Sequence, residues 1–257
     1  MIGLLLALLV GVLAPAIEDP SAARRAEVEE TWRKRLEPTQ LNVQLVDARG
    51  GVRFRATLVG RTEDSLVLLT AAHCVEPDDK GRPIQVARGD HKAVLKATGV
   101  AINPWRQPGL PDAIPGSDNA ILVLEAALAN SDEARWLADV QVARLVEKPT
   151  PGPDGATIPI FAIDQFEKPH LVRAGNFSNP RWLEWGKTYT PIPGDSGSGV
   201  FGFVSGKNDE LEPVLIGVVT DQSPTGGGGS IVAVRDPWVT PWLPGLDSRP
   251  KARPPLR

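Results

Sequence analysis

The chain has 257 residues, 42% hydrophobic and 23% charged, with 25 Gly, 25 Pro, one Cys and a net charge of −3. That length builds one large domain or two small ones, and the apolar content with so little net charge excludes an intrinsically disordered chain. The balanced charge argues against a polyanion-binding protein, the Gly and Pro content against a mainly helical fold, and the single Cys against any intramolecular disulfide or Cys-rich zinc site.

Met1 to Ile17 is an unbroken run of apolar and small residues. Ala14-Pro15-Ala16 supplies the small residues of a signal cleavage site, so residues 1–16 are expected to be a signal peptide. No Lys or Arg precedes the run, and 17 residues approach the lower limit for a bilayer span, so an uncleaved anchor is the alternative. A buried N-terminal helix is the third reading. Export is expected, to a secreted or periplasmic location, with any membrane contact confined to this segment. Asp19-Pro20 then reads as a helix cap followed by Pro at the first helical position. Residues 17–40 are expected to be a helical pre-segment, with Val28, Trp32 and Leu36 forming one apolar stripe. It packs on the domain or is a removable pro-segment ending at Arg33-Lys34-Arg35.

From Leu41 the pattern turns to short β runs. The candidates are Leu41–Val46, Val52–Val59, Ser65–Thr70, Ile84–Ala87, Ala93–Ile102, Ile121–Leu124, Val140–Leu145, Thr157–Ile163, Gly199–Val204, Val214–Val219 and Ile231–Val234. No long amphipathic helices alternate with them, which disfavours a parallel sheet. Eleven or twelve strands over about 205 residues suit an all-β fold of two six-stranded antiparallel units. The expected divisions are 41–137 for the first and 138–246 for the second, with Pro149–Gly155 just after the join. Gly226–Gly229 reads as a mobile loop, and residues 247–257 as a disordered tail.

Three local features carry chemistry. Thr70-Ala71-Ala72-His73-Cys74 places a His among small residues at a strand end. Asp118-Asn119-Ala120-Ile121-Leu122 places an acid at the start of an apolar strand. Pro193-Gly194-Asp195-Ser196-Gly197-Ser198-Gly199 places a Ser on a tight Gly turn with uncovered backbone N–H groups. Taken alone, each is an ordinary packed His, a capping Asp and a turn. Together they supply a hydroxyl, an imidazole to take its proton and a carboxylate to orient the imidazole. The chain order His73, Asp118, Ser196 is that of the chymotrypsin type, and no G-x-S-x-G elbow is present. His91 and His170 lack the small-residue setting, Asp112 sits in a Pro/Gly loop, and Ser198 is expected to be structural.

Over about Leu41 to Leu243 the chain resembles the trypsin-like (chymotrypsin-fold) serine proteases. The resemblance rests on the motifs at 70–74, 118–122 and 194–197, and continues in Ile216-Gly217-Val218-Val219 and Pro241-Trp242-Leu243. It implies two antiparallel β-barrels with a short closing C-terminal helix and a polypeptide substrate. It further implies that Ser196 is the nucleophile, His73 the general base, Asp118 its orienting partner, and the N–H groups of Gly194 and Ser196 the oxyanion hole. No metal, cofactor or nucleic acid is called for. Thr190, Thr220, Asp221 and Gln222 fall at the specificity pocket. Thr190 is neutral, so a demand for Arg or Lys is not expected; Val219 stands where a glutamate-specific branch carries His, so Glu specificity is not expected either. Cys74 stands where many relatives carry half of a disulfide; it is the single Cys, so it is expected to be a buried free thiol, and the chain in this respect resembles the disulfide-poor bacterial members. No Ile-Val-Gly-Gly-like start is present, so Asp195 is expected to find its partner in an Arg or in an amine released by processing.

Overall fold

The computed structural model describes residues 30, 32–33, 36, 39–45, 53–105, 116–125, 135–147, 160–166, 168–172, 182–186, 189–205, 211–223 and 226–243. The expected signal segment, most of the pre-segment, Asp112, Pro149–Gly155 and the tail lie outside them.

The first six strands are β1 (Gln40–Leu45), β2 (Arg53–Arg61), β3 (Ser65–Thr70), β4 (Pro83–Arg88), β5 (His91–Ile102) and β6 (Ala120–Glu125). They close into a barrel in the order β1-β2-β3-β6-β5-β4, antiparallel at every described pairing. The next six are β7 (Ile160–Ile163), β8 (Pro169–Val172), β9 (Trp182–Gly186), β10 (Gly199–Ser205), β11 (Leu211–Ser223) and β12 (Gly226–Ile231). They form one curled sheet in the order β8-β7-β10-β11-β12-β9. Among the described residues the second expected barrel is this curled six-stranded sheet, a half-barrel with β8 and β9 at its edges.

The burial patterns explain the architecture. β5 alternates buried and exposed residues over most of its length, with Ala93, Leu95 and Ala97 inside the barrel, as a half-buried strand must. β3 and β6 are instead apolar on both faces. Leu66, Leu68, Leu122 and Leu124 fill the barrel core. Val67, Leu69, Ile121 and Val123 point the other way, into a second cluster with Phe201, Leu215, Val218 and Val232 of the second sheet and its flank. Trp32 and Leu36 are buried in that second cluster, two positions of the expected stripe. So β3 and β6 are the wall shared by both units, and their ends lie at the junction.

Several expectations are corrected. Val140–Leu145 is not a strand of either sheet. Ala143 donates to Leu58 of β2, and Val146 donates to Leu215 of β11, so the segment crosses between the two units. Gly226–Gly229 is not a loop but most of β12, paired with β9 and β11, whereas Val232–Val234 lie beyond it. β8 and β9 have no counterpart among the expected strands. The expected closing helix is represented by a single 3₁₀ turn, Thr240–Trp242.

Candidate active site

β3 and β6 pair antiparallel from Ser65–Glu125 to Thr70–Ala120. That register brings the end of β3 beside the start of β6. The 3₁₀ turn Ala72–Cys74 then carries His73, and the residue two before β6 is Asp118. A separation of 45 residues in sequence thus closes to hydrogen-bond distance. His73 donates its backbone N–H to Asp118 Oδ1 at 2.9 Å and presents Nδ1 to Oδ2 at 2.6 Å. A carboxylate only accepts, so in the neutral imidazole the proton sits on Nδ1 and Nε2 keeps its lone pair.

Asp118 is fixed in turn by its neighbour. Asn119 is fully buried; its amide donates to the Gly116 carbonyl at 3.1 Å and its Oδ1 accepts from Asn103 Nδ2 at 2.9 Å. This buried amide pair locks the turn from which Asp118 projects. Burial of the His73 ring works against its charged form. The hydrogen bond to Asp118, the adjacent Cys74 sulfur and the Asp118 charge outweigh that, and the His73 pKa is raised above its ordinary value.

The Ser196 turn is pinned between the two units. The Ser196 carbonyl accepts the Arg55 N–H of β2 at 2.8 Å, and the Gly197 N–H donates to Val219 of β11 at 2.8 Å. Gly197 has φ +84°, and a Cβ there would collide with the Arg55 carbonyl and the Thr70 hydroxyl, so no side chain is tolerated. Thr70 is the last residue of β3, close before His73 in the chain. The turn therefore abuts the strand end that carries the imidazole. Among the described residues no hydrogen bond joins the Ser196 hydroxyl to His73; such bonds often tighten only around substrate.

Asp195 departs from expectation. It is fully buried, and its donors are neutral. Gln165 N–H reaches Oδ1 at 2.7 Å, while the Tyr189 hydroxyl at 2.5 Å and Ile192 N–H at 2.7 Å reach Oδ2. Neither an Arg nor a released amine bonds it among the described residues. Three strong donors are a sufficient alternative for a buried carboxylate. Tyr189 is a committed donor: burial, the hydrogen bond to Asp195 and the charges of Asp195 and Asp164 hold its pKa far above the phenol range, against an opposing Arg55.

Gln165 belongs to a tight turn organised by Asp164. That carboxylate accepts from Phe166 N–H, Lys168 N–H and His170 Nε2 at 2.8–2.9 Å. Desolvation opposes its ionised form, but the His170 and backbone hydrogen bonds prevail, and its pKa is lowered. The His170 ring stacks on Tyr189 at 4.4 Å. The turn clasps the Ser196 loop: Gln165 Nε2 donates to Pro193, and Arg55 Nη1 donates to the Gln165 carbonyl. His170 is thus a structural partner of the site, and His91 stacks on Trp136 elsewhere in the fold.

Tyr189 and Gln165 carry no signal of their own in the sequence. The burial of Asp195 is the one clue that several donors have to converge nearby. Removing one of the three by Tyr189→Phe is expected to cost about 1–3 kcal/mol of stability. It should appear as a lower urea midpoint; an unchanged midpoint would show that the hydroxyl does not hold the carboxylate.

Of the expected pocket residues, Thr190 is exposed and Thr220 buried. Asp221 and Gln222 lie in β11, paired with Gly228 and Gly227 of β12. A Cβ on Gly228 would collide with the Trp182 ring of β9. Ser198 is buried and acts through its backbone, donating to Asp195 and accepting from Val219. Cys74 is a buried free thiol.

No family model matches the chain, and no curated protein matches it. Solved structures do. The scabies mite inactivated protease paralogue S-I1 superposes with a TM-score of 0.54 at 14% identity, over 80% of this chain and 94% of that one. Mouse neuropsin, a serine protease expressed in the limbic system, superposes at 0.51 with 15% identity, over the same shares. The fold is that of the trypsin-like serine proteases. At these identities the likeness extends to the fold alone, and the chemistry has to be read from this chain's own residues.

Proposed function

We propose that the protein is a serine endopeptidase, secreted or periplasmic, that hydrolyses polypeptides through an acyl-enzyme on Ser196. The observation that carries this reading is the 2.6 Å contact of His73 with Asp118 at the strand edge where the Ser196 turn docks. His73 Nε2 takes the proton from Ser196 Oγ as the oxygen attacks the substrate carbonyl carbon. The carbonyl π electrons move to oxygen, which lies against the N–H groups of Gly194 and Ser196. Among the described residues neither of these donates to a backbone carbonyl. Each such donor is worth about 10²–10³ in turnover. His73 then returns the proton to the leaving amine, and water repeats the sequence on the acyl-enzyme. These steps need no metal or cofactor. Thr190 and the neutral Thr220 suit a small or medium uncharged side chain before the scissile bond.

A second reading is a protease fold used for binding. Trp182 covers Gly228 opposite Asp221, on the strand expected to wall the specificity pocket, and one structural neighbour is described as an inactivated protease paralogue. A fluorophosphonate probe separates the two. The peptidase reading expects a covalent adduct on Ser196, located by peptide mass spectrometry and prevented by prior denaturation. A folded protein that takes up no probe would overturn the peptidase reading and leave the binding reading standing.

A further inference from the structure

A cleft of about 300 Å³ opens beside the Ser196 loop, bordered by Gly194 and by Gln44, Arg53, Phe54, Gln85 and Lys92 of the barrel. The strand register shows how it is built. Gln44 of β1 faces both Arg53 of β2 and Gln85 of β4, and Ala87, two residues on, faces Lys92 of β5. Residues directly opposite in a sheet, and residues two apart along a strand, share one face. Arg53, Gln44, Gln85 and Lys92 therefore lie on the outer face of four adjacent strands. Phe54 and Val43, of opposite parity, are buried in the barrel. At about 4.8 Å per strand the row spans roughly 14 Å, the reach of three or four extended residues.

The charge of this face is one-sided. Arg53 and Lys92 are both exposed; among the described residues no carboxylate borders the cleft and neither cation is ion-paired. Its position relative to the nucleophile is equally definite. The Ser196 turn is bonded to β11 on one side, through Gly197 and Val219, and to β2 on the other, through Ser196 and Arg55. Thr220, Asp221 and Gln222 of β11 lie on the acyl side of the reading above, so the β2 side is where the leaving segment must run.

We propose that this cleft receives the leaving segment of the substrate and selects acidic side chains there, with Arg53 and Lys92 as specificity-determining residues. The inference rests on the peptidase reading. Two exposed ion pairs together support about a tenfold preference at low salt. Most of it should disappear at 1 M salt, where the screening length falls to about 3 Å.

The test uses the full chain and internally quenched peptide pools. The pools have mixed residues before the scissile bond and Glu-Glu, Gln-Gln or Lys-Lys at the second and third positions after it. The ratio of kcat/KM for the Glu and Lys pools is taken within each protein, so a general loss of activity does not imitate a loss of selectivity. The expected ratio is about tenfold at low salt and near one at 1 M salt. It should fall to near one in Arg53→Gln/Lys92→Gln and invert in Arg53→Glu/Lys92→Glu. Hydrolysis of all three pools at equal rates by the unaltered protein would overturn the inference and leave the peptidase reading standing. Ratios unmoved by the substitutions would overturn the role of these two residues. Failure to hydrolyse both the pools and a short activated ester, which has no leaving segment, would remove the peptidase reading and this inference with it.

Discussion

Replacing Ser196 by Ala is expected to lower turnover of a peptide substrate by about 10⁶, and His73→Ala should cost about as much. The two losses should not add. Without the hydroxyl there is no proton for Nε2 to take, and without the imidazole the hydroxyl remains a poor nucleophile. The double variant should therefore match the single ones within a few-fold, leaving only the contribution of the oxyanion donors and substrate binding. The comparison is informative because the Ser196 turn is anchored by backbone groups. The Ser196 carbonyl bonds Arg55 and the Gly197 N–H bonds Val219, and both bonds survive in the Ala variant. Its stability, read from the urea midpoint, should stay within about 0.5 kcal/mol of the unaltered protein's. A Ser196→Ala protein that still cleaved peptides at a tenth of the original rate would remove Ser196 from the chemistry and point to another nucleophile.

The parts of the fold readable from the chain are those where one physical signal dominates. β3 is legible at its full extent, Ser65–Thr70, because an apolar and β-favouring run ends at a small-residue turn. The doubly apolar character of β3 and β6 also hints at strands without a solvent face, though only the folded chain shows them to be the shared wall. The misses have specific causes. β8 begins at Pro169, which a strand tolerates at its first position on a sheet edge but which reads as a break. β9 carries a Glu and ends in Gly. Four of the six residues of β12 are Gly, a residue little expected in a strand. Its glycines become intelligible only with the Trp182 ring and the β9 and β11 backbones in place, since close approach rather than propensity selects them.

The candidate site divides in the same way. His73, Asp118 and Ser196 are legible because each lies in a short run with a chemical rationale. Tyr189 and Gln165 are not, since their role depends on meeting Asp195 across 6 and 30 residues of chain with no motif around either. The expectation of a cation for Asp195 followed from the cost of burying a charge. The structure meets that cost with three hydrogen bonds and places the Arg55 guanidinium on the Gln165 carbonyl instead. The Ser196 loop is thus held from within the folded chain by the turn that Asp164 organises.

Asp118→Asn should lower kcat by about 10⁴, or about 5 kcal/mol of transition-state stabilisation, and the two-pronged contact explains why. Asp118 Oδ1 accepts the His73 backbone N–H, and Oδ2 accepts from Nδ1. In the Asn variant the backbone N–H requires the amide oxygen, because an NH₂ there would leave two donors face to face. The NH₂ is then turned toward Nδ1 and favours the tautomer with its proton on Nε2, where it blocks acceptance of the Ser196 proton. The pH dependence follows from the same contact. In the unaltered protein Asp118 favours the imidazolium, so the pKa of His73 lies above its ordinary value of 6.5. The acidic limb of the rate profile should sit correspondingly high, since only neutral His73 is a base. The substituted amide carries no charge, so the limb of the residual activity should move down. Folding stability carries the matching sign. The pair's contribution is complete below the unfolded His pKa and is lost as pH rises through the raised one. A pH series of kcat together with the His73 ring titration by NMR checks both effects. A variant that kept more than a tenth of the activity would mean that Asp118 does not set the tautomer, and an unmoved acidic limb that it does not hold the charge of His73.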